Sequence, residues 1–172
     1  FLGPMDKDKP WSATGIDGVK RFLDRLHRLV IDETTGNCVA TDEALIPDVA
    51  RAVHKTIKKI TEDIENMSFN TSISQMMILV NELYKYNCKS KKALMPLVQL
   101  LQPFAPHLAE ELWHSMKGEG FVVTAPWPQF DAALCKDDTV TMGVQVNGKM
   151  RGTIEIPADA SEEVAVQQAL GL

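Results

Sequence analysis

Apolar residues recur three and four apart through the first two thirds of the chain, and near its end they alternate with polar ones. From Val49 to Met67, the residues Val49, Val53, Ile57, Ile60, Ile64 and Met67 share one helical face, and Arg51, Lys55, Lys58 and Lys59 line the other. A second stripe, Ile16, Val19, Phe22, Leu23, Leu26, Leu29 and Val30, predicts a helix ending near Asp32 with Arg21, Arg25 and Arg28 on its far side. Ser12 or Thr14 could cap this helix; Thr41 or Asp42 could cap the longer one, whose first turns hold Pro47. Asn70 or Ser72 opens a third helix with Ile73, Met76, Met77, Val80, Leu83 and Tyr84 inward, a spacing that reads as core packing. A fourth runs from about Ser90 to Gln102 on Leu94, Leu97, Leu100 and Leu101, and Pro106 starts a fifth through Leu108, Leu112 and Trp113 to Met116.

After Gly118-Glu119-Gly120 the period changes. Val140, Met142, Val144 and Val146 alternate with polar residues, meet Asn147-Gly148, and are answered by Met150, Ile154 and Ile156, which predicts a β-hairpin. A two-residue Asn-Gly loop pairs Val146 with Lys149, whereas a three-residue loop through Lys149 pairs Val146 with Met150; turn chemistry favours the first and hydrophobic pattern the second. In either register Lys149 and Arg151 fall on one side. Ser161-Glu162-Glu163 then opens a terminal helix with acids in its first turn. The fold class is therefore mainly α: an antiparallel helix bundle followed by a small α+β portion containing the hairpin. Its divisions are a lead-in at 1–11, a bundle at 12–118, a linker at 119–138 and the α+β portion at 139–172.

Composition refines this picture in two places. The 172 residues carry a formal net charge of -5, yet through Gly118 there are 15 Lys+Arg against 15 Asp+Glu, so the acidic surplus lies wholly in the last third. The four cations from Arg51 to Lys59, with no acid between them, are thus a local feature. Cys38, Cys88 and Cys135 are odd in number and far apart, which fits a reducing, cytoplasmic compartment better than a disulfide framework. No apolar run of about 18 residues offers a membrane span, and the first residues lack a signal pattern. A chain that begins at Phe1 and stops just after an incipient helix reads as a piece of something longer, and a monomer is expected.

No catalytic constellation emerges. His27, His54, His107 and His114 lack metal-ligand spacing, Glu110 and Glu111 point to different helix faces, and no glycine-rich phosphate loop is present. What remains is polyanion binding, weighed against basic faces that are merely wet. Arginine forks on rigid helices suit phosphate, and the acidic last third is screened beyond the Debye length of about 8 Å.

FLGP with Pro10-Trp11, Gly15 and Gly18 before Arg21-Phe22-Leu23, HKTIKKITEDIENMSFNTSISQMM from His54 to Met77, Asn81, QPFAPHLAEELW from Gln102 to Trp113, Pro126-Trp127-Pro128 and VQVNGKMRG from Val144 to Gly152 cover nearly the whole chain. Together they resemble the C-terminal half of leucyl-tRNA synthetases. The FNT and APHLAEELW segments look like the helical anticodon-binding domain shared with isoleucyl-, valyl- and methionyl-tRNA synthetases, and VQVNGKMRG looks leucyl.

The resemblance implies a tRNA-binding fragment of a leucine-tRNA ligase. Its partners would be tRNA(Leu) and the absent catalytic and editing domains of the same chain. ATP with Mg would serve only that absent catalytic domain, and no cofactor is expected in the fragment, which should be inactive alone. Lys89-Ser90-Lys91-Lys92 is superficially similar to the family's KMSKS loop but lacks the methionine and sits at a helix start; it reads as a solvated basic turn. Bacterial leucine enzymes use tRNA shape and elbow features more than anticodon bases. By resemblance, Arg21, Arg25, Arg28, Arg51, Lys55, Lys58 and Lys59 would position the tRNA backbone, with Lys149 and Arg151 as a further contact. Assigning the contact to these individual residues rests on their charge and helical spacing. Phe69, Asn70, Pro106 and Trp113 read as core and caps, and the appended portion looks truncated after Leu172. The competing reading is a non-enzymatic helical protein-interaction module.

Overall fold

The computed structural model describes residues 3–8, 10, 13–136, 139–146, 148–157 and 160–171, without the side chains of 13, 14, 139, 140 and 155. It divides into two compact units, Phe1–Cys135 and Lys136–Leu172.

The first unit holds α1 (Ala13–Val30), α2 (Pro47–Glu65), α3 (Phe69–Lys85), α4 (Lys91–Leu101) and α5 (Pro106–Ser115). Short connections turn α3 back beside α2 and α5 back beside α4, while α4 packs on α2 and α1 lies against α3 and α5. The core is sealed by Leu26, Ile57, Ile60, Met76, Leu83, Leu94, Leu97 and Leu112, all drawn from the predicted stripes. Three residues of the helical stripes are exposed. Burial on α1 begins only at Phe22, leaving Ile16 47% exposed. Met67 and Tyr84 are exposed for reasons of helix ending and helix phase.

Met67 occupies the left-handed region at φ 56°, just past the end of α2. The Ser68 amide donates to Asp63 O at 2.7 Å and the Met67 amide to Ile64 O at 3.1 Å, a Schellman ending that swings Met67 out of the stripe. Asn87 after α3 and Lys117 after α5 repeat this geometry without glycine. Helix starts also differ from expectation. Ser68, not Asn70 or Ser72, is the N-cap of α3, and Ile46 that of α2, where Pro47 supplies the preset first turn in place of a side-chain cap. Ser12 lies outside the described residues.

Residues 119–135, expected as part of a linker, pack on the bundle as a strap. The Glu110 carboxylate accepts from the Val122 amide at 3.1 Å, Gln99 donates to Pro126 O at 2.8 Å, and the Trp127 indole N–H donates to Thr61 Oγ1 at 2.9 Å. Farther along, the Asp131 amide donates to His54 Nδ1 at 2.9 Å.

In the second unit β1 (Thr139–Val146) pairs antiparallel with β2 (Lys149–Pro157), and α6 (Glu162–Leu170) packs on β2. Both predicted registers occur. Val146 opposes Lys149 next to the turn; a shift between Val144 and Gln145 then makes Arg151 the extra residue, and Val144 opposes Gly152, Met142 opposes Ile154 and Val140 opposes Ile156. A bulge lets the short turn coexist with apolar pairing farther down. It also interrupts the alternation that put Lys149 and Arg151 on one side; both are exposed. Asn147 lies outside the described residues.

Candidate nucleic-acid interface

Helical spacing sets Arg21, Arg25 and Arg28 on the outward side of α1, about 10 Å from first to last along the axis. Lys20 and Asp24 on the same helix pair at 2.6 Å, which holds Asp24 below the usual carboxylate range. The arginines are left with little of that acid. Arg21 is exposed and forms no ion pair with a described residue. Arg28 donates from Nε to Asp24 O at 3.1 Å and stands 3.5 Å from Glu33, both exposed, a contact that water screens. Arg25 lies over the ring of Tyr84, its Cζ 4.8 Å from the centroid, and the Tyr84 hydroxyl donates to Arg25 O at 2.8 Å.

The α2 group is arranged differently. Its sequence window contains no acid, but acids one turn away return to the same face. Arg51 pairs with Asp48 at 2.6 Å, Lys58 with Glu62 at 4.0 Å, and Lys59 with the nearly buried Asp63, which also accepts from Thr71 Oγ1 at 2.7 Å. Lys55 is half-buried and has an interaction of its own.

The end of α3 links both groups. Tyr84 grips Arg25, and two residues on the Tyr86 hydroxyl donates to Asp48 at 2.9 Å, beside Arg51. That hydrogen bond, with Arg51 second, holds the Asp48 carboxyl below its ordinary value. Between the two tyrosines Lys85 pairs with Glu82 at 3.2 Å and lies over the Tyr86 ring, and Glu82 raises its pKa. Lys149 and Arg151 belong to the second unit.

Sequence reasoning missed Tyr84, which stands at the rim of the α3 stripe and is 39% exposed, and His54, whose ring receives the strap. A rim tyrosine with a polar tip was the available signal. Ser90 differs from its expected role as part of a wet turn. It is buried, caps α4 by accepting from the Lys92 amide at 3.3 Å, and donates to Glu43 O at 2.6 Å, while Lys91 reaches Asp42 at 3.3 Å.

The model of the anticodon-binding domain of tRNA ligases matches residues 48–166. The chain belongs to this anticodon-binding family. A leucine–tRNA ligase of Bdellovibrio bacteriovorus is 68% identical over 169 residues, which is 98% of this chain and 21% of that protein. One from Prosthecochloris aestuarii is 48% identical over the same length. The chain thus spans about a fifth of the relatives it matches. The fold matches LeuRS in the crystal structure of a LeuRS–tRNA–LeuAMS ternary complex from Agrobacterium radiobacter K84, with TM-score 0.70 and 31% identity, covering 95% of this chain and 23% of that one. The resemblance of the sequence to leucyl-tRNA synthetases, and the helical bundle with its small hairpin portion, are borne out.

In this anticodon-binding family member, the matched stretch begins inside α2, so the arginine row of α1 lies outside it while the leucine–tRNA ligases align across it. Among the described residues no group of three His, Cys, Asp or Glu could hold a metal ion, and no helix is long and apolar enough to cross a membrane.

Proposed function

We propose that this chain is the tRNA-holding part of a leucine–tRNA ligase and positions tRNA(Leu) by its sugar-phosphate backbone. Leucine activation with ATP and Mg, and editing, belong to other domains of the parent enzyme. The chain alone is inactive and acts as a monomer in the cytoplasm.

The observation that carries this reading is the α1 row: Arg21 without an ionic partner among the described residues, Arg28 beside a solvated acid, and Arg25 held by an aromatic ring. Guanidinium groups on one rigid helix bind phosphate oxygens through paired N–H groups, with little conformational freedom left to lose. Arg51 extends the surface across the end of α3. Lys55 and Lys58 lie next along α2, Lys59 serves the fold through Asp63, and Lys149 with Arg151 supplies a second contact from the hairpin. Backbone contacts position a nucleic acid without reading bases.

Gel-shift titration with tRNA(Leu) tests this. Arg21→Glu with Arg25→Glu weakens binding while the thermal melt of the bundle is retained. Unchanged affinity removes the α1 row from the interface. A protein-interaction module with solvated basic faces predicts no binding by the parent sequence even at low salt.

A further inference from the structure

We infer that Tyr84 is a positioning residue that holds Arg25 ready for a phosphate while leaving its charge unneutralised; the inference rests on the tRNA-backbone reading above. Most ordered cations of the first unit are held by carboxylates, as Lys20 is by Asp24, Arg51 by Asp48 and Lys59 by Asp63. A carboxylate fixes a cation but occupies its donors and cancels its field. An aromatic face restrains a guanidinium through its π density and leaves the N–H groups at the edge available.

Tyr84 holds Arg25 at two points. Its ring lies under the guanidinium with the centroid 4.8 Å from Cζ, and its hydroxyl donates to the backbone carbonyl of the same residue at 2.8 Å, across 59 positions of sequence. The hydroxyl fixes where the ring sits relative to α1, and the ring fixes where the side chain lies. Arg25 forms no ion pair with a described carboxylate, and its nearest acidic neighbour on α1, Asp24, is turned to Lys20. An exposed tyrosine on the last turn of α3 is otherwise of little use to the core, whose inward residues there are Val80 and Leu83.

The test titrates tRNA(Leu) against the chain and four variants, each with a thermal melt. Arg25→Ala weakens binding and makes the salt dependence shallower by about one phosphate, a change of roughly 0.7–0.9 in the log–log slope. Tyr84→Leu frees the side chain and weakens binding by about twofold to tenfold, the range expected for re-ordering one long side chain, with the slope retained. Tyr84→Phe keeps the ring and stays closer to the parent than Tyr84→Leu. Tyr84→Leu placed on Arg25→Ala produces no further loss. Should the leucine variant fail to fold, Tyr84→Gln is the second ring-less form.

A ring-less variant that binds as the parent does, while Arg25→Ala binds weakly, overturns the positioning role. So does a loss on removing the ring that persists in the Arg25→Ala background, because it shows Tyr84 acting through the fold. If Arg25→Ala itself has no effect, the assignment of Arg25 to the interface fails instead.

Discussion

Replacing Lys59 with Met removes the ammonium facing Asp63 while keeping most of the aliphatic stem. The carboxylate it leaves behind is only 6% exposed and keeps one donor, the Thr71 hydroxyl at 2.7 Å. A hydrogen bond to a charged group contributes about 1.5–3 kcal/mol, and a stranded buried charge costs more. Lys59 is itself 47% exposed, so water screens the pair and the cost falls to about 1–2 kcal/mol. Asp63→Asn leaves Lys59 to solvent and keeps an acceptor for Thr71, at a cost of about 0.5–1 kcal/mol. The double variant then loses less than the sum of the two, with a coupling of about 1 kcal/mol. Urea denaturation followed by far-UV circular dichroism measures all three, and tRNA titration on the same samples shows Lys59→Met binding nearly as the parent does. Coupling below about 0.3 kcal/mol, or a large loss of tRNA affinity from Lys59→Met in a stably folded protein, would refute the division into scaffold and binding cations.

Gly118→Ala places a methyl inside the indole ring of the buried Trp113, so the ring or the backbone must shift, and destabilises the first unit by about 1–3 kcal/mol in a denaturant melt. Trp127→Phe leaves Thr61 without the indole donor at 2.9 Å and loosens the strap, seen as faster proteolysis between 119 and 135 while helix content by circular dichroism is retained. The Asp48 carboxyl is held below its ordinary 3.8, so its contribution is present above that pH and disappears as pH falls through the lowered folded value. Tyr86→Phe removes the largest cause of that shift. The variant is therefore less stable than the parent near neutrality, and the two converge in acid melts below pH 3.8.

The bundle was legible because its information is periodic. Leu26, Val53, Ile57, Ile60, Met76 and Leu83 lie in stripes that also seal the core. Helix ends were less legible: α2, α3 and α5 close on Met67, Asn87 and Lys117, none of which carries the glycine signal of a left-handed cap. The strap from 119 to 135 has no period, and it is fixed by single contacts such as Trp127 with Thr61 and Asp131 with His54, 66 and 77 positions apart. The hairpin carried two conflicting signals, and both hold because Arg151 is a bulge.

For the candidate site, charge and spacing select candidate residues but say nothing of their partners. An acid-free window from Arg51 to Lys59 concealed Asp48, Glu62 and Asp63, which the helix returns to that side. Tyr84 was assigned inward because the stripe was read one position too wide.

The salt dependence of tRNA(Leu) binding tests the central claim most directly. With about four phosphates neutralised, affinity falls roughly a hundredfold between 50 and 200 mM salt, along a straight log–log line. Absence of binding at 50 mM, or an affinity that hardly changes with salt, would contradict a backbone interface built on these cations.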